Sequence, residues 1–179
     1  METNPMREIE IEKVTLNVGV GEAGDKLEKA KTLLERIVNT KVVKTTAKDR
    51  IPTWGLRLGL PIGVKTTIRG KNATELLKRL FKAVENRVKP SQFDNEGNLS
   101  FGIKEYIHIP DARYDPTLGI IGLDVCVTLK RKGGFRIRRR SYRKHPIGKT
   151  HRISKEESIE FFKKHFGIAV EEKAIRSYF

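Results

Sequence analysis

The chain has 179 residues, 33% charged and 37% apolar, a balance that suits a folded globular protein and excludes a disordered one. Its net charge is +15, and its single cysteine, Cys126, excludes a disulfide framework. No apolar run approaches the roughly 20 residues that span a bilayer, and the start, METNPMREIEIEK, lacks a secretory pattern, so a cytoplasmic location without membrane contact is expected.

From Ile11 to Val20 the sequence alternates, which predicts a strand with Val14, Leu16, Val18 and Val20 buried and Lys13, Thr15 and Asn17 on a polar face. A helix is expected over residues 25–38, with Leu27, Ala30, Leu34, Ile37 and Val38 on one stripe. A second strand is expected over residues 41–47. Residues 48–60 contain Pro52, Gly55 and Gly59 and read as a long exposed loop. This loop holds the only tryptophan, Trp54, between Arg50 and Arg57. The ring is either a packed core residue or a tip that reaches a folded partner.

A third strand is expected over residues 62–69, with Val64, Thr66 and Ile68 on one face and Lys65, Thr67 and Arg69 on the other. Asn72 and Glu75 form a plausible capping pair for a helix carrying Leu76, Leu77, Leu80, Phe81 and Val84. Residues 99–109 read as a strand with Leu99, Phe101, Ile103, Ile107 and Ile109 inward, and Ser100, Lys104, Tyr106 and His108 outward. Another strand over residues 120–129 buries Leu123, Val125, Val127 and Leu129, with Cys126 read as a small packed residue. A last helix starts at Ser154, capped with Glu157, and carries Ile159, Phe162 and Phe166 to Gly167.

Strands and helices mix without strict alternation. The expected fold is therefore α+β: an antiparallel-rich sheet with helices packed on one face, in a single domain over residues 1–179. The other face is then open and polar, suited to sugar-phosphate contacts or merely solvated.

The charge is uneven. Between Val125 and Lys155 there are 12 Lys and Arg and no Asp or Glu, whereas the rest of the chain holds 25 basic and 22 acidic residues. A basic extension over residues 130–152 carries the block. It marks a polyanion contact, with nucleic acid ahead of an anionic membrane, or else a solvated charge run. Within it Phe135 and Tyr142 interleave with Arg136, Arg138, Arg139, Arg140, Arg143 and Lys144. Rings and guanidinium planes stack on exposed bases, while the cations neutralise phosphates. Phe135 and Ile137 could instead anchor the segment to the core.

Catalysis is not expected. GVGEAG at residues 19–24 has the G-x-G-x-x-G spacing of a dinucleotide turn, but Glu22 and Asp25 would oppose a pyrophosphate. The acid that should bind a ribose about 20 residues on is missing from KVVKTTAK. GKT at residues 148–150 lacks the upstream glycine of a phosphate loop, where Arg143 stands instead. The four histidines show no ligand-like spacing, so no metal or other cofactor is expected.

Four stretches, KVTLNVGVGEAG, GLRLGLPIGVKTTIRG, FDNEGNLSFGIKEY and GIIGLDVCVTL, occur in the order of a known family. The sequence resembles ribosomal large-subunit protein five, the universal 5S ribosomal RNA binders, and its ending resembles the archaeal and eukaryotic branch. The resemblance implies a structural role in the central protuberance. It implies 5S RNA contact at Lys13, Asn17, Thr40, Lys41 and Thr67, with Lys65 and Arg69 beside them. It places a loop that reaches P-site transfer RNA at Lys48, Arg50, Trp54 and Arg57. Further partners implied are 23S-type RNA, for which the basic extension is a candidate, other proteins of the 5S particle, and a small-subunit bridge protein.

Overall fold

The structure is a computed structural model and describes residues 4–110, 112–133 and 136–170. Its strands are β1 (Ile9–Gly19), β2 (Val43–Thr46), β3 (Pro61–Ile68), β4 (Arg87–Val88), β5 (Leu99–Ile103), β6 (Leu123–Arg131) and β7 (Ala169–Val170). Its helices are α1 (Asp25–Val38), α2 (Lys71–Ala83), α3 (Arg136–Arg139) and α4 (Lys155–Phe166).

Alternating side chains let β1 pair on both edges while burying one face, so it becomes the middle strand of an antiparallel sheet ordered β2-β3-β1-β6-β5. Val14, Leu16 and Val18 lie in register with Ile68, Thr66 and Val64 of β3, and all six are buried. Across β6, Val125 and Val127 continue the same layer to Phe101 and Leu99. α1 packs on β3 and α2 on β1, joining the buried faces in one core. Phe162 of α4 is fully buried against Phe81 and Phe93. Each such side chain contributes about 1.5–3 kcal/mol through burial. A small parallel pair, β4 with β7, ties the end of α4 to the chain after α2. The α+β architecture expected from the sequence is the one observed.

Three local expectations are corrected. Residues 99–109 do not form one strand: β5 ends at Ile103, and Tyr106–His108 make a 3-10 turn. In such a turn residues three apart share a face. Tyr106 and Ile109 are therefore buried, while Ile107 and His108 are exposed. The Tyr106 hydroxyl accepts from the Asp115 backbone N–H at 3.0 Å. Second, α2 is not capped by Asn72 and Glu75. Gly70 is its N-cap at φ 71°, a left-handed conformation that favours glycine, and Asn72 already lies inside the first turn. Third, β6 starts at Leu123 and runs to Arg131, so the first basic residues belong to the sheet.

At α4 the expected cap is present. Glu157 N–H donates to Ser154 Oγ at 3.2 Å, and Ser154 N–H to Glu157 Oε2 at 3.1 Å. In GVGEAG, the Val20 and Gly21 N–H groups both donate to the Ile62 carbonyl at 2.9 Å, and Gly24 caps α1 at φ 135°. Glu22 is engaged with Lys26 at 2.6 Å. The glycines make a strand-to-helix turn.

Candidate nucleic-acid interface

The sheet face away from the helices is assembled by register. Asn17 lies opposite Lys65 on one side and Asp124 on the other, and Thr15 sits between Thr67 and Cys126. Lys13 pairs with Thr128 beyond a bulge in β1. Lys65 and Thr67 are exposed, and Lys13 and Asn17 are half-buried among their neighbours. Arg69 is exposed just past the end of β3. Lys13, Asn17, Lys65 and Thr67 thus share one surface through adjacent strands. Cys126 also opens onto this surface and is exposed, correcting its reading as a packed residue. Its neighbours Val125 and Val127 face the core, so the alternation of β6 already placed it outside.

Thr40 and Lys41 lie apart from that row, between α1 and the edge strand β2. The Thr40 hydroxyl is 3.4 Å from that of Thr66, whose side chain belongs to the buried layer. Lys41 is exposed.

Residues 47–60 extend the β2–β3 hairpin. Ala47 N–H donates to the Leu60 carbonyl at 2.8 Å, and Gly59 N–H to the Ala47 carbonyl at 3.0 Å. Farther out, Ile51 and Leu56 exchange two bonds of 3.0 Å around a 3-10 turn at Pro52–Trp54. Gly55 at φ 65° reverses the chain. Trp54 is 73% exposed at the end of the hairpin, so it is not a packed core residue. Lys48, Arg50 and Arg57 are exposed around it.

The basic extension has two kinds of cation. Arg136, Arg139, Arg140, Arg143 and Lys144 are exposed, as is Tyr142, over whose ring the Arg143 guanidinium lies 5.2 Å from the centroid. Arg140 Nε donates to the Arg143 carbonyl at 2.6 Å, and His145 N–H to the Ile137 carbonyl at 3.2 Å, folding α3 against the segment that follows. Arg138 belongs to α3. Ile137 is 40% exposed and so does not anchor the segment by burial, and Phe135 lies outside the described residues.

Arg131 is different, because it is 6% exposed. It donates from Nε to the His151 carbonyl (3.2 Å), from Nη1 to the Arg7 carbonyl (2.8 Å) and from Nη2 to the Arg152 carbonyl (3.2 Å). Nη2 also reaches both Glu157 carboxylate oxygens, at 3.0 and 2.8 Å. One planar guanidinium thereby joins the outgoing strand, the returning limb, the N-terminal segment and the start of α4. At Glu157 burial pushes the pKa up, but the Ser154 N–H and the Arg131 guanidinium outweigh it and hold the carboxyl below its ordinary range.

Sequence reasoning also missed three acids that temper the block. Glu10 meets Lys130 at 3.4 Å, Glu8 meets Lys132 at 2.9 Å, and Glu12 approaches Arg139 at 3.9 Å. Their spacing of two in REIEIEK was a signal, but the partner strand was unknown until β1 paired with β6.

Among the described residues no group of three His, Cys, Asp or Glu could hold a metal ion, and no helix is long and apolar enough to cross a membrane. The profile of ribosomal protein L5 matches residues 4–57, and that of the ribosomal L5P family C-terminus matches residues 61–170. The two stretches interleave in space, since β1 from the first lies between β3 and β6 from the second. The large ribosomal subunit protein uL5 of Sulfurisphaera tokodaii is 52% identical over 170 residues, covering 94% of this chain and 96% of that protein. Its counterpart in Nanoarchaeum equitans is 50% identical, covering 93% and 98%, and that of Sulfolobus acidocaldarius is 46% identical, covering 93% of each chain. With both halves matched and archaeal relatives aligned along nearly their whole length, the chain belongs to the ribosomal protein L5 family, in its archaeal form.

Proposed function

We propose that this chain is a structural constituent of the large subunit of cytoplasmic ribosomes, and that it holds 5S ribosomal RNA against the helix-free sheet face. One observation carries the second part: Lys13, Asn17, Lys65 and Thr67 fall on one surface of adjacent strands. Cations there neutralise phosphates, and Asn and Thr read sugar hydroxyls and base edges. Arg69, Thr40 and Lys41 extend the contact at the strand ends. The exposed hairpin tip, with Lys48, Arg50, Trp54 and Arg57, reaches P-site transfer RNA. The extension, through Arg136, Arg138, Arg139, Arg140, Arg143 and Lys144, contacts 23S-type RNA. Other proteins of the 5S particle and a small-subunit bridge protein complete the partners. The protein acts by positioning RNA, in keeping with a ribosomal family rather than an enzymatic one.

The test is 5S RNA binding by the full chain at raised salt. Asn17→Ala and Thr67→Ala should each weaken it roughly two- to tenfold, the range for a lost hydrogen bond. Unchanged affinity in both would remove the sheet face from the interface. Competition with random duplex DNA decides between this reading and a general DNA-coating role, and a preference for duplex DNA would replace it.

A further inference from the structure

We propose that the cavity between the open sheet face and the returning limb of the basic extension takes one extruded nucleoside of single-stranded RNA. The proposal rests on the RNA-binding role above. The cavity measures about 380 Å³, within the size range of small-ligand sites. Its sheet side is the cross-strand pair Lys13 and Thr128. Its limb side includes Ile147 and Ile153, Asn98 and Arg152 add polar groups, and Glu96 places one carboxylate in the wall beside the two cations. Apolar side chains accommodate a base face, and the two cations suit the attached phosphates. Thr128 offers a hydroxyl to a ribose or a base edge. Asn98 already donates Nδ2 to Asp94 Oδ2 at 2.7 Å, so its amide oxygen is available to a base edge.

The cavity is also preformed. Arg131 fixes the limb through the His151 and Arg152 carbonyls. Ile153 packs so closely on the turn at Gly97 that a Cβ there would lie 2.7 Å from its Cγ2. Asp94 Oδ1 braces the same turn by accepting from Glu96 N–H at 2.9 Å and Asn98 N–H at 2.6 Å. A nucleoside entering such a site orders little protein, which favours selection of an RNA whose base is already unstacked.

The experiment compares wild type, Ile147→Trp, Ile147→Val and Thr128→Val for 5S RNA affinity across a salt series. Ile147→Trp fills the cavity without removing charge. It should cost about tenfold or more in affinity, with the slope of affinity against salt unchanged, while Ile147→Val binds as wild type does. Thr128→Val keeps shape and should weaken binding several-fold, which decides the matter if the tryptophan variant melts early. A photoreactive side chain at position 147 should crosslink to one nucleotide. Wild-type affinity in both Ile147→Trp and Thr128→Val, or crosslinks spread along the RNA, would overturn the cavity proposal and leave the sheet-face reading standing. Absence of 5S RNA binding by wild type would overturn both.

Discussion

At the scale of single residues, Arg131 separates two roles that look identical in composition. It sits in the most basic stretch of the chain, yet its guanidinium is spent on three carbonyls and a carboxylate. Arg131→Met should therefore destabilise the fold by about 2 kcal/mol, a fall in Tm of roughly 4–8 °C seen by calorimetry. Arg143→Ala, at an exposed position, should leave Tm nearly unchanged. The Glu157 carboxyl carries a pH dependence. Its folded pKa is lowered, so its stabilisation is present above the ordinary glutamate range and is lost as pH falls through that range to the folded value. Acid should thus lower the amide protection factors near His151 and Arg152, relative to the intrinsic exchange rate at each pH, and Glu157→Gln should flatten that dependence. At Trp54, 73% exposed, replacement by Ala should change stability by no more than about 0.5 kcal/mol.

At the scale of elements, the β2–β3 hairpin closes with its own backbone bonds at Ala47, Gly59 and Leu60 before the tip begins. Removing residues 50–57 should therefore leave the circular dichroism spectrum and 5S RNA affinity intact while weakening retention of P-site transfer RNA on ribosomes. Loss of 5S RNA binding would move the tip to the other interface. α4 depends on its first turn, where Ser154 and Glu157 cap each other and Glu157 also meets Arg131. Ser154→Ala should cost about 1 kcal/mol in denaturant unfolding. Helix α1 and the cap of α4 were legible because their stripe and cap residues agree with one another. The 3-10 turn after β5 was not, because KEYIHIP continues a rough alternation while Tyr106 is drawn inward by Asp115 and the core.

At the scale of the whole molecule, most of the +15 excess lies in residues 125–155, which hold 12 basic and no acidic side chains, while the sheet face and the hairpin tip add a few cations each. RNA affinity should fall linearly with the logarithm of salt, by about 0.7–0.9 per neutralised phosphate. Replacing exposed Arg136 with Ala should reduce that slope by about one contact if it meets RNA, whereas Arg131→Met should reduce affinity without changing the slope. Acids on β1 and just before it lower the effective charge at the root of the extension, since Glu8, Glu10 and Glu12 face Lys132, Lys130 and Arg139. The extension is accordingly most cationic away from the sheet.

The sequence by itself determined the α+β class, the buried faces of the central strands, the extent of α1 and the cap of α4. These follow from local periodicity and hydrogen bonding between near neighbours, which a single chain segment records. It also carried the family resemblance through four ordered stretches. Only the tertiary structure decided which cations are available to a partner, because that depends on residues distant in sequence. Arg131 is occupied by carbonyls and a carboxylate up to 124 positions away, Trp54 is freed by a hairpin that holds itself, and Lys13, Asn17, Lys65 and Thr67 become one surface through strand register.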